Sequence, residues 1–162
     1  MRTMLTCAVI MACAACQQKA TAPVPADTTA DAQAIENAAK AQLAAIAARD
    51  VAGATNVYAS DAVFIDDAGA ASRGKDAINV TFTGYLADPA MKLDFKLGRM
   101  IVSSSGDMAY SVSEYTQTYT NPTTKKPVTM KGTNLCVWRK QADGSWKLAA
   151  DSNPAGPAQS ST

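Results

Sequence analysis

The side chains able to do chemistry in this chain of 162 residues are carboxylates, tyrosines, lysines and cysteines, because the sequence contains no histidine. Without histidine the chain lacks the commonest general base near neutral pH, every catalytic triad that needs imidazole, and most kinds of zinc site. The sequence also holds no Gly-rich phosphate loop, no nucleophile elbow and no metal-binding spacing of cysteines and aspartates. We therefore predict neither a metal nor a cofactor, and any catalysis is expected to use one of these four side-chain types.

The N-terminal segment predicts export and lipidation. Arg2 precedes an apolar stretch too short to span a bilayer, and small residues then lead to a cysteine. This pattern resembles the lipobox of bacterial lipoproteins, in which the cysteine becomes the lipidated first residue of the mature chain. Cys16 fits that position best and Cys13 second, while an ordinary signal peptide cleaved near Ala20 or Ala22 is the alternative.

The cysteines and charges of the mature protein follow from this interpretation. Loss of residues 1–15 and acylation of Cys16 leave Cys136 alone in the domain, so no intramolecular disulfide is expected. Cys136 lies in an apolar strand-like segment, which predicts a buried thiol rather than a nucleophile. Cleavage also removes Arg2 and leaves no net formal charge, so acyl chains rather than basic side chains would hold the protein to the membrane.

Two further observations bear on location and partners. Gln17, rather than Asp, follows Cys16, which resembles outer-membrane sorting in Gram-negative bacteria and predicts the bacterial cell envelope, on the periplasmic face of the outer membrane. The full chain has 18% charged residues, a net charge of +1 and no basic run, so no nucleic-acid partner is expected.

Composition divides the chain into four segments. A signal peptide is predicted over 1–15 and a flexible tether over 16–30, where prolines disfavour a helix. One folded domain is predicted over 31–153, near the usual size for a single core. The Pro-rich, small-polar residues 154–162 predict an irregular tail.

Within the domain, helical periodicity comes first and strand periodicity follows. Asp31 can cap a helix whose apolar face carries Ile35, Ala39, Leu43 and Ile46. Helices are predicted over 31–50, 51–58 and 74–88, and strands over 61–66, 92–97, 100–103, 108–120, 128–140 and 145–150. Helices followed by hairpins predict an α+β fold, with helices packed on one face of a curved antiparallel sheet.

The order of several short motifs along the chain indicates a family. The motifs are Tyr58-Ala59-Ser60-Asp61-Ala62-Val63-Phe64, Arg73-Gly74-Lys75-Asp76-Ala77-Ile78, Gly106-Asp107-Met108-Ala109-Tyr110, Val137-Trp138-Arg139-Lys140 and Asp143-Gly144-Ser145-Trp146-Lys147-Leu148. Together they resemble the SnoaL-like, nuclear transport factor 2-like superfamily over residues 31–153. The resemblance implies a cone-shaped α+β barrel, in which three N-terminal helices and a curved antiparallel sheet enclose a pocket. Enzymes, binding proteins and assembly domains share this fold, so function depends on the site.

The ketosteroid-isomerase branch of that superfamily suggests a catalytic base. Its carboxylate base ends the first strand, and Asp66 falls on that position. A carboxylate in an apolar cone has a raised pKa, which suits proton abstraction next to a carbonyl. The oxyanion donors of that branch do not match, because Gln42 and Asn134 or Leu135 occupy their positions. The alternative for Asp66 is a turn-capping or solvated residue beside Asp67.

Other polar residues could face the cavity that the resemblance implies. Alternation along one strand puts Tyr110 and Glu114 on one face and Tyr115 on the other, without saying which face is concave. Glu114 is a second candidate acid if it points inward and a solvated side chain if it points outward. The candidate ligand-binding residues are Tyr58, Tyr85, Tyr110, Tyr115, Asn134 and Asp151.

These observations lead to a functional expectation. We expect an exported, lipid-anchored domain whose partner is a small apolar or amphipathic molecule bound in the cone. The alternative is an isomerase, cyclase or dehydratase that uses Asp66 as general base. The resemblance also implies that a homodimer can form, because many members of the superfamily pair through the outer face of the sheet.

Overall fold

A computed structural model describes residues 28–156 of the chain. The predicted signal peptide, both candidate lipidated cysteines and nearly all of the predicted tether lie outside these residues. The helices are α1 (Thr29–Ala47), α2 (Val51–Thr55) and α3 (Lys75–Ala87). The strands are β1 (Tyr58–Ile65), β2 (Ala71–Arg73), β3 (Lys92–Lys96), β4 (Met100–Val102), β5 (Met108–Thr120), β6 (Pro127–Lys140) and β7 (Trp146–Ser152). Within the described chain, no helix is long and apolar enough to cross a bilayer.

The strands form one curved sheet in the order β2-β1-β7-β6-β5-β3, with β4 also paired to β5. This arrangement confirms the α+β cone, which stays open because β2 and β3 are edges. The prediction of a wholly antiparallel sheet is wrong in one place, since β1 and β7 are parallel. Hydrophobic alternation gives the face on which a side chain lies but carries no information about strand direction. Only the long-range pairing of the first and last strands fixes that direction.

The apolar face predicted for α1 packs toward the sheet, with Ile35 and Ile46 buried. Asp31, however, is not the N-cap as predicted, because the helix already begins at Thr29. The Asp31 carboxylate instead accepts hydrogen bonds from Lys140 Nζ at 2.7 Å and Trp146 Nε1 at 3.0 Å. These bonds lower the pKa of Asp31 and attach the first turn of α1 to β6 and β7.

Two local signals set the positions of α2 and α3. Asp50 caps α2 by accepting a hydrogen bond from Gly53 N at 3.0 Å. Gly74 precedes α3 with a φ of +80°, a conformation that glycine adopts without the steric cost of a Cβ. Gly74 N also donates to Ala62 O at 2.8 Å, which ties the start of α3 to β1.

Several elements differ from the sequence prediction, among them α1, which ends at Ala47, and β1, which begins at Tyr58. The second helix ends at Thr55 rather than Tyr58, because the backbone of Val57 pairs with Leu148 of β7 at 2.8 Å. Strand β2 was not predicted, since three residues are too few to show a period of two. The predicted irregular tail begins as an extended segment along β6, where Gly156 N donates to Lys131 O at 2.9 Å.

The core lies between the helices and the concave face of the sheet. Trp138, Leu148, Ile35 and Ile78 are almost completely buried there. A group of aromatic rings continues from this core toward the open end of the cone. Tyr58, Phe64, Phe82 and Tyr85 contact one another edge to face or tilted, with ring centroids 5.4 to 6.3 Å apart.

Candidate functional site

A cavity opens between α1, α3 and the concave face of the sheet. The room left for the centres of water molecules is about 80 Å³, several times the ~10–15 Å³ that one buried water requires. Apolar side chains of α1 and α3 form one wall, among them Leu43 and Ile46 from the predicted helix face. The opposite wall comes from β1, β3, β5, β6 and β7, so the concave side carries Ser111, Ser113 and Tyr115 of β5.

A polar cluster around Asp151 forms the floor of the cavity. Its Oδ2 accepts a hydrogen bond from the Tyr58 hydroxyl at 2.5 Å. Its Oδ1 accepts from the side-chain amides of Asn134 at 2.7 Å and Asn153 at 2.9 Å. Gln42 on α1 donates to the Tyr58 hydroxyl at 3.4 Å, which extends the cluster across the cavity to the helix. Sheet register brings these residues together, since Asp151 lies opposite Cys136 on β6 and beside Phe64 on β1.

Burial controls the protonation of this cluster. Burial raises the pKa of Asp151, while the hydrogen bonds from Tyr58, Asn153 and Asn134 oppose that rise. Burial and the nearby Asp151 also raise the pKa of Tyr58 well above its usual range. Cys136 is buried, as predicted, and donates through Sγ to Asn134 Oδ1 at 3.2 Å. Burial and Asp151 raise the pKa of this thiol, which keeps it protonated and a poor nucleophile.

Asp66 and Asp67 lie at the half-buried rim of the cavity, just beyond the end of β1. Oδ1 of Asp66 accepts hydrogen bonds from Ala68 N at 3.0 Å and Ala70 N at 2.7 Å. Asp66 therefore caps the turn, which is one of the two alternatives raised for it, and it also lines the cavity. Its role as a catalytic base stays a prediction. Burial, followed by Asp66 and Asp67, raises the pKa of the adjacent Tyr85.

Tyr115 covers the sheet wall next to this rim. Its ring stacks on Phe95, with centroids 5.8 Å apart, and its hydroxyl donates to Asn153 O at 2.8 Å. The ring lies directly over Gly132, where a Cβ would come within 2.5 Å of it. A glycine on β6 thus leaves the space that lets Tyr115 lie flat against the concave face.

Comparison with known protein families identifies the family of this chain. A family model described as the SnoaL-like domain matches residues 39–149, well over half of the chain. The chain belongs to the SnoaL-like family. This confirms the family predicted from the motifs, and a fold of this kind supports a ligand-binding or isomerase-type domain.

Solved structures of bacterial proteins share the fold of this SnoaL-like domain. A ketosteroid isomerase-like protein from Erwinia carotovora atroseptica is 25% identical, with 78% of this chain and 96% of that one covered and a TM-score of 0.67. A nuclear transport factor 2-like superfamily protein from Salmonella enterica is 19% identical, with 83% and 96% covered and a TM-score of 0.66. A domain of unknown function with a cystatin-like fold from Nostoc punctiforme is 18% identical, with 82% and 81% covered and a TM-score of 0.68. No curated protein matches the sequence significantly.

Two of the predicted site residues do not reach the cavity of the SnoaL-like domain. Glu114 lies on the convex face of β5, where its carboxylate is 3.7 Å from Lys96 Nζ and both side chains are exposed. Tyr110 lies on the same face and is 39% exposed. Strand alternation explains both positions, because it puts Glu114 and Tyr110 on the face of β5 opposite to Ser111, Ser113 and Tyr115. Glu114 is therefore not a second acid in this cavity, and Tyr110 does not line it. The structure does bring the other candidates together around the cavity, namely Tyr58, Asp66, Tyr85, Tyr115, Asn134 and Asp151.

Sequence reasoning missed several polar residues of the cavity. Asn153 lies two residues after Asp151, just beyond the end of β7, and it lines the same cavity. A period of two continued past the predicted strand end would have selected both residues. Ser111 and Ser113 share the concave face of β5 with Tyr115, and Gln117 continues that face toward the rim. Among residues 28–156, no three or more cysteine, aspartate or glutamate side chains cluster as metal ligands do.

Proposed function

We propose that this SnoaL-like domain binds a small, mostly apolar molecule that carries one polar group. The observation that carries the proposal is the cavity, which combines apolar walls and free volume with polar groups in fixed positions. Such a combination is typical of small-molecule sites, where apolar area supplies affinity and a few polar groups fix orientation. The amide of Asn134 and the Tyr58 hydroxyl, both held by Asp151, are the oriented polar groups of the floor.

A neutral probe tests this binding function. We expect 2-phenylethanol to shift amide resonances of cavity residues in a chemical-shift titration of the isotope-labelled domain. Leu43→Trp fills the cavity from α1 and is expected to weaken binding at least tenfold, which corresponds to about 1.4 kcal/mol. Val80→Trp is the matched control, because Val80 is 75% exposed on α3 and should leave binding unchanged. Equal affinity of the Leu43→Trp and wild-type domains would contradict binding in this cavity.

An isomerase, cyclase or dehydratase is the second candidate, and the position of Asp66 on the cavity rim favours it. Asp66 would take a proton next to a carbonyl of the substrate, although Glu114 is too far outside to be its acid partner. The test is the isomerisation of a β,γ-unsaturated cyclohexenone, followed by absorbance of the conjugated product. Asp66→Asn is expected to lower the rate by about 10²-fold or more, and Glu114→Gln to leave it unchanged. An Asp66→Asn domain with undiminished turnover would rule out this role.

We further propose that the domain is anchored in the bacterial envelope through an acylated Cys16. The support is the sequence pattern of residues 1–16, a short basic start, an apolar stretch and small residues before a cysteine. Mass spectrometry of the protein from the membrane fraction should find a diacylglyceryl-modified N-terminus at Cys16. Cys16→Ala should release the protein from that fraction, and Cys13→Ala should not. An unmodified N-terminus beyond Cys16 would refute the anchor.

A further inference from the structure

The charges that line the cavity all have the same sign. Asp66, Asp67 and Asp151 contribute carboxylates, while no lysine or arginine of the described chain lines the cavity. Asp151 is only 6% exposed, and its hydrogen-bond donors are all uncharged. Within residues 28–156 no ion pair includes any of the three carboxylates. The rim of the cavity, with Asp66 and Asp67, therefore holds negative charge without a counter-charge.

The tyrosines of the cavity wall respond to this negative charge. Burial first, then Asp66 and Asp67, raise the pKa of Tyr85. Burial first, then Asp67, Asp151 and Asp66, raise the pKa of Tyr115 to about 12. A negative environment opposes the ionisation of a tyrosine, so both shifts agree with the charge inventory.

The rim carboxylates have acceptor atoms available for a ligand. Oδ1 of Asp66 accepts two backbone hydrogen bonds, but no group of the described chain donates to its Oδ2. Residues 28–156 provide no hydrogen-bond or ion-pair partner for the Asp67 carboxylate either. Asp151 differs, because donors within the fold occupy both of its oxygens. A positively charged ligand group would therefore meet its acceptors at the rim.

An aromatic ring also lines the cavity with these acceptors. Tyr85 is half-buried and belongs to the ring group with Phe64 and Phe82. Tyr115 has no ring face free for a cation, because it stacks on Phe95 and covers Gly132. Ring faces attract cations, and the attraction is strongest where water is excluded. An aromatic ring beside carboxylates is a suitable environment for an ammonium group attached to an apolar body.

We propose that the cavity binds a small organic cation, an amine with an apolar body, whose ammonium group lies between Asp66 and Asp67 and next to the ring of Tyr85. The apolar body would extend inward along the α1 wall. An amphiphile with a carboxylate or phosphate head would meet like charges and no basic side chain, which is unfavourable. This inference rests on the proposed binding function and specifies its ligand class.

Three probes with the same phenethyl body and different heads test the proposal: 2-phenylethylamine, 2-phenylethanol and 3-phenylpropionate at pH 7. Chemical-shift titration should give an amine affinity about tenfold above that of the alcohol, with no detectable binding of the carboxylate. The amine affinity should fall as ionic strength rises, because salt screens exposed charges. The alcohol affinity should not.

A double variant tests whether Asp66 and Asp67 cause the preference for the amine. Asp66→Asn with Asp67→Asn removes both rim charges, while the side-chain amide oxygen introduced at position 66 can still accept hydrogen bonds from the turn. The double variant should bring the amine affinity to within about twofold of the alcohol affinity measured on the same variant. Glu114→Gln removes a carboxylate from the convex face and should change neither the amine affinity nor the alcohol affinity.

The outcomes separate this inference from the proposed function. Alcohol binding that Leu43→Trp abolishes, with amine no tighter than alcohol, overturns the cation preference and leaves the binding function standing. Retention of the amine preference by the double variant overturns the assignment to Asp66 and Asp67. Failure of all three probes to bind overturns the binding function and the ligand class together.

Discussion

Asp151, at the centre of the polar cluster, makes the stability of the folded protein depend on pH. Burial raises its pKa above the ordinary value of 3.8, and the hydrogen bonds from Tyr58, Asn153 and Asn134 reduce that rise without cancelling it. The folded protein therefore holds the proton of Asp151 to a higher pH than the unfolded chain does. Between the unfolded and folded pKa values the folded state binds more protons, so this group makes stability fall as pH rises.

Asp151→Asn removes this ionisable group, so comparison with the wild type should show whether Asp151 makes stability fall or rise with pH. We expect the wild-type advantage in the free energy of unfolding to be largest below pH 3.8 and to shrink as pH rises through the folded-state pKa of Asp151. Urea unfolding of both proteins across pH 3.5 to 8 measures the difference, at about half-unit steps. Asp61→Asn is a control of opposite sign, because Arg139 lowers the pKa of Asp61 and its contribution is lost as pH falls. An advantage that grows with pH for Asp151 would show that its hydrogen bonds outweigh its burial.

Two glycines should respond in opposite directions to the same substitution. Gly132→Ala places a Cβ 2.5 Å from the Tyr115 ring, which must tilt away from the sheet and lose its hydrogen bond to Asn153 O. We expect a loss of about 1–3 kcal/mol in the free energy of unfolding. Gly84→Ala on the exposed side of α3 meets nothing within 4 Å and should gain about 0.5–1 kcal/mol. Thermal unfolding of both variants measures these changes. A Gly132→Ala variant as stable as the wild type would mean that the Tyr115 ring can move without loss of stability.

At the scale of elements, the end of α3 is held by two charged residues that lie outside the helices, Arg49 and Asp88. Arg49 follows α1 and donates through Nη1 to Leu86 O and Asp88 O, each at 2.7 Å. Asp88 in turn accepts from Thr120 N at 2.6 Å, which attaches the end of α3 to the end of β5. Bonds to backbone carbonyls that have no partner within the helix thus fix α3 as one wall of the cavity.

Arg49→Ala should loosen this end of α3. We expect a loss of about 1–2 kcal/mol in the free energy of unfolding, because Arg49 makes charge-assisted hydrogen bonds that are partly exposed. Faster hydrogen exchange should appear in the last turn of α3 and not in β6. Arg99→Ala, at an exposed position before β4, is the matched control and should unfold like the wild type. Unchanged exchange in α3 would show that packing alone holds the helix end.

The elements themselves were largely predictable, and their spatial relations were not. Strand β5 was predicted over its full length because alternation persists through thirteen residues, whereas β2 is too short to alternate. The position of Asp66 followed from the end of a strand, and turn capping was one of the alternatives raised for it. Which backbone amides it accepts from depends on the conformation of the turn. The Asp151 cluster required the pairing of β7 with both β1 and β6, a long-range register. For Glu114 the alternation was correct, and only the sheet curvature decided which face is concave.

At the scale of the whole molecule, the convex face of the sheet carries apolar side chains with no cover inside the described chain. Met108, Tyr110 and Val112 of β5 and Leu135 of β6 are each 37 to 44% exposed. Val112 lies directly opposite Leu135 in the register, so these side chains form one contiguous group. Contiguous exposed apolar patches are characteristic of interaction sites. We propose that a second copy of the chain covers this one, as the superfamily resemblance implies.

A symmetric dimer through this face is therefore expected. The β5 side chains of one copy would pack against the same strand of its partner, which buries Tyr110 and Val112 of both copies at the symmetry axis. Light scattering on residues 28–156 should give twice the monomer mass. Val112→Lys should reduce the measured mass to that of one monomer, because two buried ammonium groups would face each other without a counter-charge. Val80→Lys is the matched control, since it makes the same change on the far side of the domain and should leave the dimer intact. A domain that is monomeric before any substitution would exclude this assembly.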